Sequence, residues 1–201
     1  MRILRAAEYR SMPWKNGGGA TTEIAVSPTG AALDDFDWRV SMARVESGGP
    51  FSGFAGVDRT LAVLEGEGIV LDIAGRPAAT VTKASAPLSF PADVPTQAAL
   101  IAGPIIDLNV MTRRGRMTHA VERVMISTST DIHSVADVTL ILCFDGEITV
   151  AGAAPVRIGQ RDTLLLGPDA LKWRLEPARP ATLFVIRIDR VAATINACFE
   201  T

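Results

Sequence analysis

Short apolar segments that end at glycine, proline or aspartate constrain the fold of this 201-residue chain more than any other feature. They are rich in valine, isoleucine, leucine and threonine, and few are long enough to show helical periodicity. The segments lie at residues 22–26, 60–64, 69–73, 106–112, 138–144, 147–150, 162–166 and 182–188. Strands of this length, separated by turn residues, are typical of a sandwich or barrel. We therefore predict an all-β chain, with helix only at residues 6–10 and 190–198.

The order of these segments repeats along the chain. RTLAVLEGEGIVLDIAGRP in the first half and VTLILCFDGEITVAGAAP in the second each contain a strand, a tight turn with glycine, a second strand and a loop of small residues. Further along, Pro104 aligns with Pro180 and Arg114 with Arg190, at a constant offset of 76 positions. Self-similarity of this kind indicates a duplication.

The repeated unit is typical of a cupin jelly roll. In each half, a strand pair with a glycine turn is followed by a turn with proline and aspartate and by a long final strand. Residues 115–132 carry no clear period and separate the two halves. We predict a bicupin, with one lobe at residues 1–118 and a second, mainly structural lobe at residues 119–201.

The charge pattern argues against most macromolecular partners. The net charge is −2 and acidic and basic residues are interspersed, so no basic surface predicts binding to nucleic acid or to an anionic membrane. Charged residues interrupt the apolar ones near the N-terminus, which argues against a signal peptide. No segment approaches the ~18 apolar residues of a membrane span. We expect a cytoplasmic protein without nucleic-acid or membrane partners.

Histidine is too scarce for a metal-using cupin. Fe, Mn or Zn sites in cupins need a cluster of imidazole and carboxylate ligands, and the chain has two histidines, His119 and His133. Neither lies where a cupin lobe would place a metal ligand, so we predict no metal and no other cofactor. Both are interpreted as solvated or hydrogen-bonded structural residues. Cys143, in the apolar segment LILCF, is interpreted as a buried free thiol.

The segment PWKNGGG contains the first candidate ligand-binding residues, Trp14, Lys15, Asn16, Gly17 and Gly18. A glycine run lets a ligand approach the backbone closely, and the indole, ammonium and carboxamide beside it can stack on and hydrogen-bond to a small polar anion. The segment matches neither glycine-rich phosphate-binding motif. A plain turn before the strand at residues 22–26, with the indole as a packing anchor, is an equally good interpretation.

Two further segments supply candidates from the first lobe. Strand alternation along WRVSMARV places Arg39 and Ser41 on one face, which can line a polar cup or face solvent. Arg59 follows the long turn GPFSGFAGV, and either pairs with Asp58 at the surface or enters the cup. Inside the cup its guanidinium group would suit a carboxylate.

The final long strand of the first lobe carries polar residues at alternate positions. Asp107, Asn109 and Arg113 share one face, whereas the corresponding segment of the second lobe, TLFVIRI, is almost wholly apolar. Polar residues on a buried strand need partners, so they predict a cavity with water or ligand. The difference predicts that one lobe holds a site and the other completes the fold.

Four ordered blocks resemble the HutD/Ves family: PWKNGGG, WRVSMARV, GPFSGFAGVDR and GPIIDLNVMTRRG. The resemblance covers most of the first 115 residues and continues more loosely beyond them; the segment PAD, where a glycine is expected before the aspartate, departs from it. It implies a bicupin fold and a role in limiting flux through histidine utilisation by binding formylglutamate. Under this resemblance, carboxylates would bind Arg39, Arg59 or Arg113, amide or formyl groups would bind Asn16 and Asn109, and Trp14 would form a wall.

Three kinds of function stay open. The leading hypothesis is a regulatory protein that binds a small acidic metabolite and catalyses nothing. The second is a metal-independent cupin enzyme of the isomerase, epimerase or hydrolase type, with Glu23, Asp58, Asp107 or Lys15 as its acid or base. The third is a structural role in a homodimer, since cupins pair through strand edges.

Overall fold

The computed structural model describes residues 1–15, 17–168 and 172–192, which form nineteen strands and one short 3-10 turn at Ala6–Glu8. The strands up to the last one of the first lobe are β1 Arg2–Leu4, β2 Arg10–Pro13, β3 Gly19–Ser27, β4 Trp38–Val45, β5 Gly49–Pro50, β6 Val57–Glu65, β7 Ile69–Ile73, β8 Ala79–Val81, β9 Leu88–Pro91, β10 Thr96–Leu100 and β11 Ile105–Arg113. The remaining strands are β12 Met117–Ile126, β13 Thr130–Ile132, β14 Val138–Asp145, β15 Ile148–Val150, β16 Val156–Ile158, β17 Thr163–Leu166, β18 Trp173–Pro177 and β19 Ala181–Arg190.

The first lobe is a sandwich of two antiparallel sheets. A six-stranded sheet has the order β2-β3-β4-β11-β6-β9, and a four-stranded sheet has the order β5-β10-β7-β8. The interior between these sheets, which we call the N-terminal cup, holds an apolar cluster to which both sheets contribute. Its members include Val45, Leu61, Val63, Ile69, Leu71 and Ile105.

The second lobe repeats the strand order of the first. Its larger sheet runs β12-β19-β14-β17-β1, which matches β4-β11-β6-β9 in the first lobe, and its smaller sheet runs β13-β18-β15-β16. The long final strands, β11 and β19, begin 76 positions apart, at Ile105 and Ala181. This match supports the duplication expected from the sequence and confirms the all-β bicupin architecture.

The two large sheets pack back to back. Even-numbered residues of β4 and β11, such as Val40 and Leu108, share one apolar cluster with Leu140, Phe184 and Ile186 of the second lobe. Each large sheet is therefore covered on both faces, which explains why its strands are almost continuously apolar. The two jelly-roll interiors lie on the outer sides of this interface.

The predicted strands are confirmed, but the predicted helices are not. Within residues 6–10 only Ala6–Glu8 form a short 3-10 turn, because β2 begins at Arg10 and pairs with β3. At the other end Arg190 still belongs to β19, and residues 193–198 of the second predicted helix lie outside the described residues. Within the described ranges, no helix has the length and apolarity that a membrane crossing requires.

The first strand belongs to the opposite lobe. Although β1 lies at the start of the chain, Arg2, Ile3 and Leu4 pair with Leu165, Leu164 and Thr163 of β17. We keep the division of the chain at residues 118 and 119 as a proposal, with β1 as the strand that crosses it.

Candidate functional site

Strand alternation decides which side chains enter the N-terminal cup. In β4, β6 and β11 the even-numbered apolar residues pack in the inter-lobe cluster and most odd-numbered ones pack in the cup. Val57 and Met111 pack in a separate small cluster with Phe36. Odd-numbered polar residues of the same strands therefore point into the cup. We call the following group the polar cluster: Arg39, Ser41, Arg59, Asp107 and Asn109, all of them buried.

Register brings the polar cluster together across three neighbouring strands. Met111 of β11 lies opposite Arg39 of β4 on one side and Arg59 of β6 on the other. One layer further along β11, Asn109 lies opposite Ser41. Because adjacent strands are about 4.8 Å apart, the backbones that carry the two arginines are separated by roughly 10 Å.

Arg59 is a buried cation without an acidic partner. Its side chain is 4% exposed, and within the described part of the chain no carboxylate forms an ion pair with it. Its Nε lacks a hydrogen-bond acceptor, and its Nη2 lies 3.7 Å from the sulfur of Met111. Burial lowers the pKa of the guanidinium group to about 10, although Asp107 opposes that change. A buried charge with an unused N–H group is costly unless an anion completes it.

Three phenylalanine rings surround this guanidinium group. Its Cζ atom lies 5.1 Å from the ring centre of Phe54, 5.3 Å from that of Phe51 and 6.0 Å from that of Phe90. Cation–π attraction partly offsets the loss of water. None of the three rings is among the residues predicted from the sequence; the block GPFSGFAGVDR contains two of them, and only the fold shows that they face Arg59.

Asp107 and Asn109 form a second unit of the polar cluster. The Asn109 side-chain amide donates to Asp107 Oδ1 at 2.5 Å, while Asp107 Oδ2 has no hydrogen-bond partner among the described residues. Burial raises the pKa of Asp107 to about 7, although Arg59 and Asn109 act in the opposite direction. The Asp107 carboxyl group can therefore either accept or donate a hydrogen bond near neutral pH.

Arg39 differs from Arg59 because it is already paired. Its Nε donates to Glu23 Oε2 at 2.8 Å, with the arginine side chain 5% exposed and that of Glu23 24% exposed. Glu23 faces the cup because its neighbour Ile24 packs in the inter-lobe cluster. The cup thus holds one neutralised and one unpaired guanidinium group.

The structure places Arg113 outside the polar cluster. Its guanidinium group donates to the carbonyl oxygens of Asp34, Phe36 and Ala55, at 2.8, 3.4 and 2.9 Å. These bonds hold two surface loops together at the end of the cup. A cavity of about 320 Å³ lies between those loops, and Phe54 lines it, so this ring forms a wall between the cavity and Arg59.

Within the segment PWKNGGG, at the opposite end of the cup, the Gly17 N–H donates to the Trp14 carbonyl oxygen at 3.0 Å. Trp14 packs against the apolar cluster of the cup, and its indole Nε1 donates to Thr21 Oγ1 at 2.8 Å. Gly17 has a φ of +71°, which glycine adopts without strain, and the Gly18 carbonyl accepts from the Glu46 backbone. Because Lys15 is exposed, the structure does not bring its ammonium group to the buried polar cluster. Asn16 lies outside the described residues.

The two histidines have structural surroundings. His119, on β12, bonds through Nε2 to Thr60 Oγ1 at 2.8 Å and through Nδ1 to Thr112 Oγ1 at 2.7 Å, which ties the second lobe to the first. Burial lowers its pKa to about 4. His133 is exposed, and Cys143 is buried with a free thiol.

A divalent metal does not fit the polar cluster. Two guanidinium groups flank its centre, and nowhere in residues 1–15, 17–168 and 172–192 do three or more histidine, cysteine, aspartate or glutamate side chains form a group that could hold a metal ion. Cationic side chains repel a metal ion and attract an anion.

Among the described residues of the second lobe, no equivalent polar cluster lies in the interior. The positions of β19 that correspond to Asp107 and Asn109 are Leu183 and Val185, and both are fully buried in an apolar cluster. The polar cluster is therefore a property of the first lobe, as the two sequences of the final strands suggested.

Comparison with known proteins places the chain in a family. The family model described as HutD matches residues 6–184. The chain belongs to the HutD family. A 21.2 kDa uncharacterised protein from the hutC 3′ region of Pseudomonas putida is 34% identical over 174 residues, covering 85% of this chain and 90% of that protein. Protein Ves of Citrobacter koseri is 39% identical over 140 residues, covering 67% and 71%.

Solved structures give the same result. HutD from Pseudomonas fluorescens SBW25, determined in a formate condition, has a TM-score of 0.80 and 30% identity, and the match covers 94% of this chain and 98% of that one. Oxalate decarboxylase from Bacillus subtilis has a TM-score of 0.66 at 10% identity, covering 93% and 77%, and shares the cupin fold alone. The HutD/Ves resemblance and the cupin fold expected from the sequence are thus confirmed.

Proposed function

We propose that this HutD-family protein binds a small acidic metabolite in its N-terminal cup. The observation that carries the proposal is Arg59, a buried cation with an unused Nε and no carboxylate partner among the described residues. An arginine of this kind suits a carboxylate, which accepts two parallel N–H bonds. Asn109 and Ser41, in the next layer of the cup, can hydrogen-bond to the uncharged part of the same ligand.

A dicarboxylate fits this arrangement better than a monocarboxylate. Arg39 and Arg59 lie on the two strands that flank β11, so a ligand lying across Met111 can present a carboxylate to each. Glu23 shares Arg39, which makes Arg59 the stronger of the two anchors. Formylglutamate, with two carboxylates and one formyl amide, meets these requirements, and the family resemblance supports it. Trp14 and Arg113 support the ends of the cup, and Lys15, Asn16, Gly17 and Gly18 stay candidate ligand-binding residues on the basis of the sequence.

Thermal unfolding tests the binding site directly. A ligand at a hundred times its dissociation constant stabilises the native state by about 2.7 kcal/mol, which raises the Tm of a domain of this size by about 5 to 10 °C. We expect this shift with N-formylglutamate or glutarate in the natural protein, and its loss in Arg59→Gln. Arg44→Gln is the matched control, since Arg44 lies on the same sheet but is exposed and pairs with Glu46. Absence of a shift with every acid tested, or its persistence in Arg59→Gln, contradicts the proposal.

The proposed cellular role is to modulate histidine utilisation according to the occupancy of the cup. The hutC-region name of the Pseudomonas putida relative supports this link. Cells that carry Arg59→Gln should grow on histidine like cells without the protein, whereas Arg44→Gln should behave like the natural protein. If Arg59→Gln abolishes ligand binding but leaves growth on histidine normal, the regulatory part of the proposal is wrong.

A metal-independent enzyme is the second candidate, and Asp107 favours it. A carboxyl group with a pKa of about 7 matches the requirement for an acid or base at neutral pH. The reaction would be an isomerisation, epimerisation or hydrolysis of a small polar substrate, with Arg59 holding its carboxylate. NMR of millimolar pathway acids incubated with the protein tests this. Turnover that Asp107→Asn abolishes would favour the enzyme over the binding protein.

A further inference from the structure

We propose that the N-terminal cup takes up a proton together with its anion, and that Asp107 Oδ2 keeps this proton and donates a hydrogen bond through it to the ligand. This inference rests on the proposed function, because it assumes that an anion enters beside Arg59. It adds a regulatory property: the affinity for the acid depends on pH through a group of the protein.

The geometry of the polar cluster leaves one carboxyl oxygen of Asp107 available. Asn109 occupies Oδ1 as a donor, so a ligand meets Oδ2, which has no partner in the described residues. An ionised Oδ2 would repel the oxygens of an acidic ligand, whereas a protonated one donates a hydrogen bond to them. The side chain is 1% exposed, so water does not screen this difference.

The charged groups around Asp107 set the direction of the proton transfer. Arg59 on β6 favours its ionised form, as do the hydrogen bonds from the Asn109 side chain and the Ala43 backbone, while Arg39 on β4 is paired with Glu23 on β3. The four-stranded sheet across the cup contributes Ile69, Leu71, Ile73, Val81 and Ala98 to the interior, and none of these side chains titrates. Among charged groups, Arg59 therefore has the largest effect on the ionisation of the Asp107 carboxyl group.

An anion on Arg59 weakens the largest of the influences that favour the ionised form of Asp107, while the hydrogen bonds from Asn109 and from the Ala43 backbone remain. The ligand neutralises the guanidinium group and adds a negative charge of its own, and both changes raise the pKa of Asp107 above its value of about 7. Asp107 is then half ionised in the free protein at neutral pH and protonated in the complex. By linkage, binding takes up about half a proton at pH 7 and nearly one at pH 8.

Asparagine at position 107 reproduces the protonated state. If Oδ1 of the new amide keeps the bond from Asn109, the amide nitrogen takes the place of Oδ2 and donates permanently. Asp107→Asn should therefore bind the anion at pH 8 as tightly as the natural protein binds it at pH 6. Glu23→Gln, which alters the other carboxylate of the cup, should change the affinity but retain its pH dependence.

Calorimetric titration with glutarate between pH 6 and 8 tests the inference, since both carboxylates of this probe stay ionised over that range. In the natural protein we expect about tenfold weaker binding at pH 8 than at pH 6, as follows from a single group with a pKa of about 7. Buffers with different ionisation heats measure the proton uptake itself and need no variant. Formate serves as a second, smaller probe.

The outcomes separate this inference from the proposed function. A tenfold change with proton uptake, absent in Asp107→Asn, supports both. Binding that does not vary with pH, or a pH dependence that persists in Asp107→Asn, overturns the inference and leaves the binding site intact. If N-formylglutamate, glutarate and formate all fail to bind the natural protein at any pH tested, the proposed function and the inference both fail.

Discussion

Replacing Arg59 with methionine removes a buried charge while keeping most of the volume of the side chain. Burial displaces the pKa of Arg59 from its ordinary 12.5 to about 10. At about 1.4 kcal/mol per pH unit this corresponds to roughly 3 kcal/mol against the charged form in the folded protein. Methionine recovers that cost and adds apolar burial, but it loses cation–π attraction to three rings, worth about 1–2 kcal/mol in total. We therefore expect Arg59→Met to raise the free energy of unfolding by about 2 kcal/mol.

The same substitution at Arg39 should have the opposite sign. Arg39→Met leaves the Glu23 carboxylate, 24% exposed, without its partner, and an abandoned partner of this kind costs about 1–3 kcal/mol. The matched pair of variants therefore separates a cation retained for a ligand from one that stabilises the fold.

Urea unfolding of both variants and the natural protein, without ligand at pH 7, measures the two differences. Thermal scans with and without N-formylglutamate show in parallel whether the more stable Arg59→Met variant has lost its response to ligand. If the free energy of unfolding of Arg59→Met is more than 1 kcal/mol below that of the natural protein, the reasoning is refuted, because Arg59 is then a structural residue.

Three further predictions concern the surroundings of the cup. The pKa of His119 is about 4 in the folded protein and near 6.5 when unfolded, so its contribution to stability is complete above pH 6.5 and is lost as the pH falls towards 4. Between pH 7 and pH 4, urea unfolding should show about 3 kcal/mol more destabilisation in the natural protein than in His119→Gln, and equal losses would contradict the assignment. Arg113→Met removes three bonds to loop carbonyls and should cost about 1–3 kcal/mol, with faster proteolysis of the two loops; unchanged cleavage would argue against the clamp. Trp14→Phe keeps the packing but loses the bond to Thr21, so it should lower the free energy of unfolding by about 1 kcal/mol. Lys15→Ala should change the free energy of unfolding by less than about 0.5 kcal/mol. If Lys15→Ala weakens ligand binding, Lys15 belongs to the binding site.

Local sequence patterns predict the architecture well because a strand needs only alternation and a turn at each end. The same patterns could not decide whether Arg39 and Ser41 face the cup or solvent, since both faces of β4 are buried and alternation has no absolute sign. The second lobe covers the even-numbered face of the strand, which leaves the odd-numbered face towards the cup. It is a property of the tertiary structure.

The prediction for the site is incomplete for a related reason. Arg59 and Arg113 look alike in sequence, as arginines that each follow an acidic or polar residue at one end of a strand. Arg59 lies among three rings with an unused Nε, whereas Arg113 finds three carbonyl oxygens on loops 58 to 79 residues away. Only the folded positions of those loops distinguish an arginine with an unused N–H group from one that donates hydrogen bonds to backbone carbonyl oxygens.

Because β1 pairs with β17 of the second lobe, it cannot join its sheet until β17 has been synthesised. Leu4 pairs with Thr163, and the hydroxyl of Tyr9 bonds to Thr163 Oγ1 at 2.8 Å, so these early residues depend on a segment made about 160 positions later. At translation rates of 5–20 residues per second, their partners leave the ribosome about 10 to 30 s afterwards. Until then β1 cannot pair with β17, so the first strand of the chain takes its place only after most of the second lobe has been synthesised.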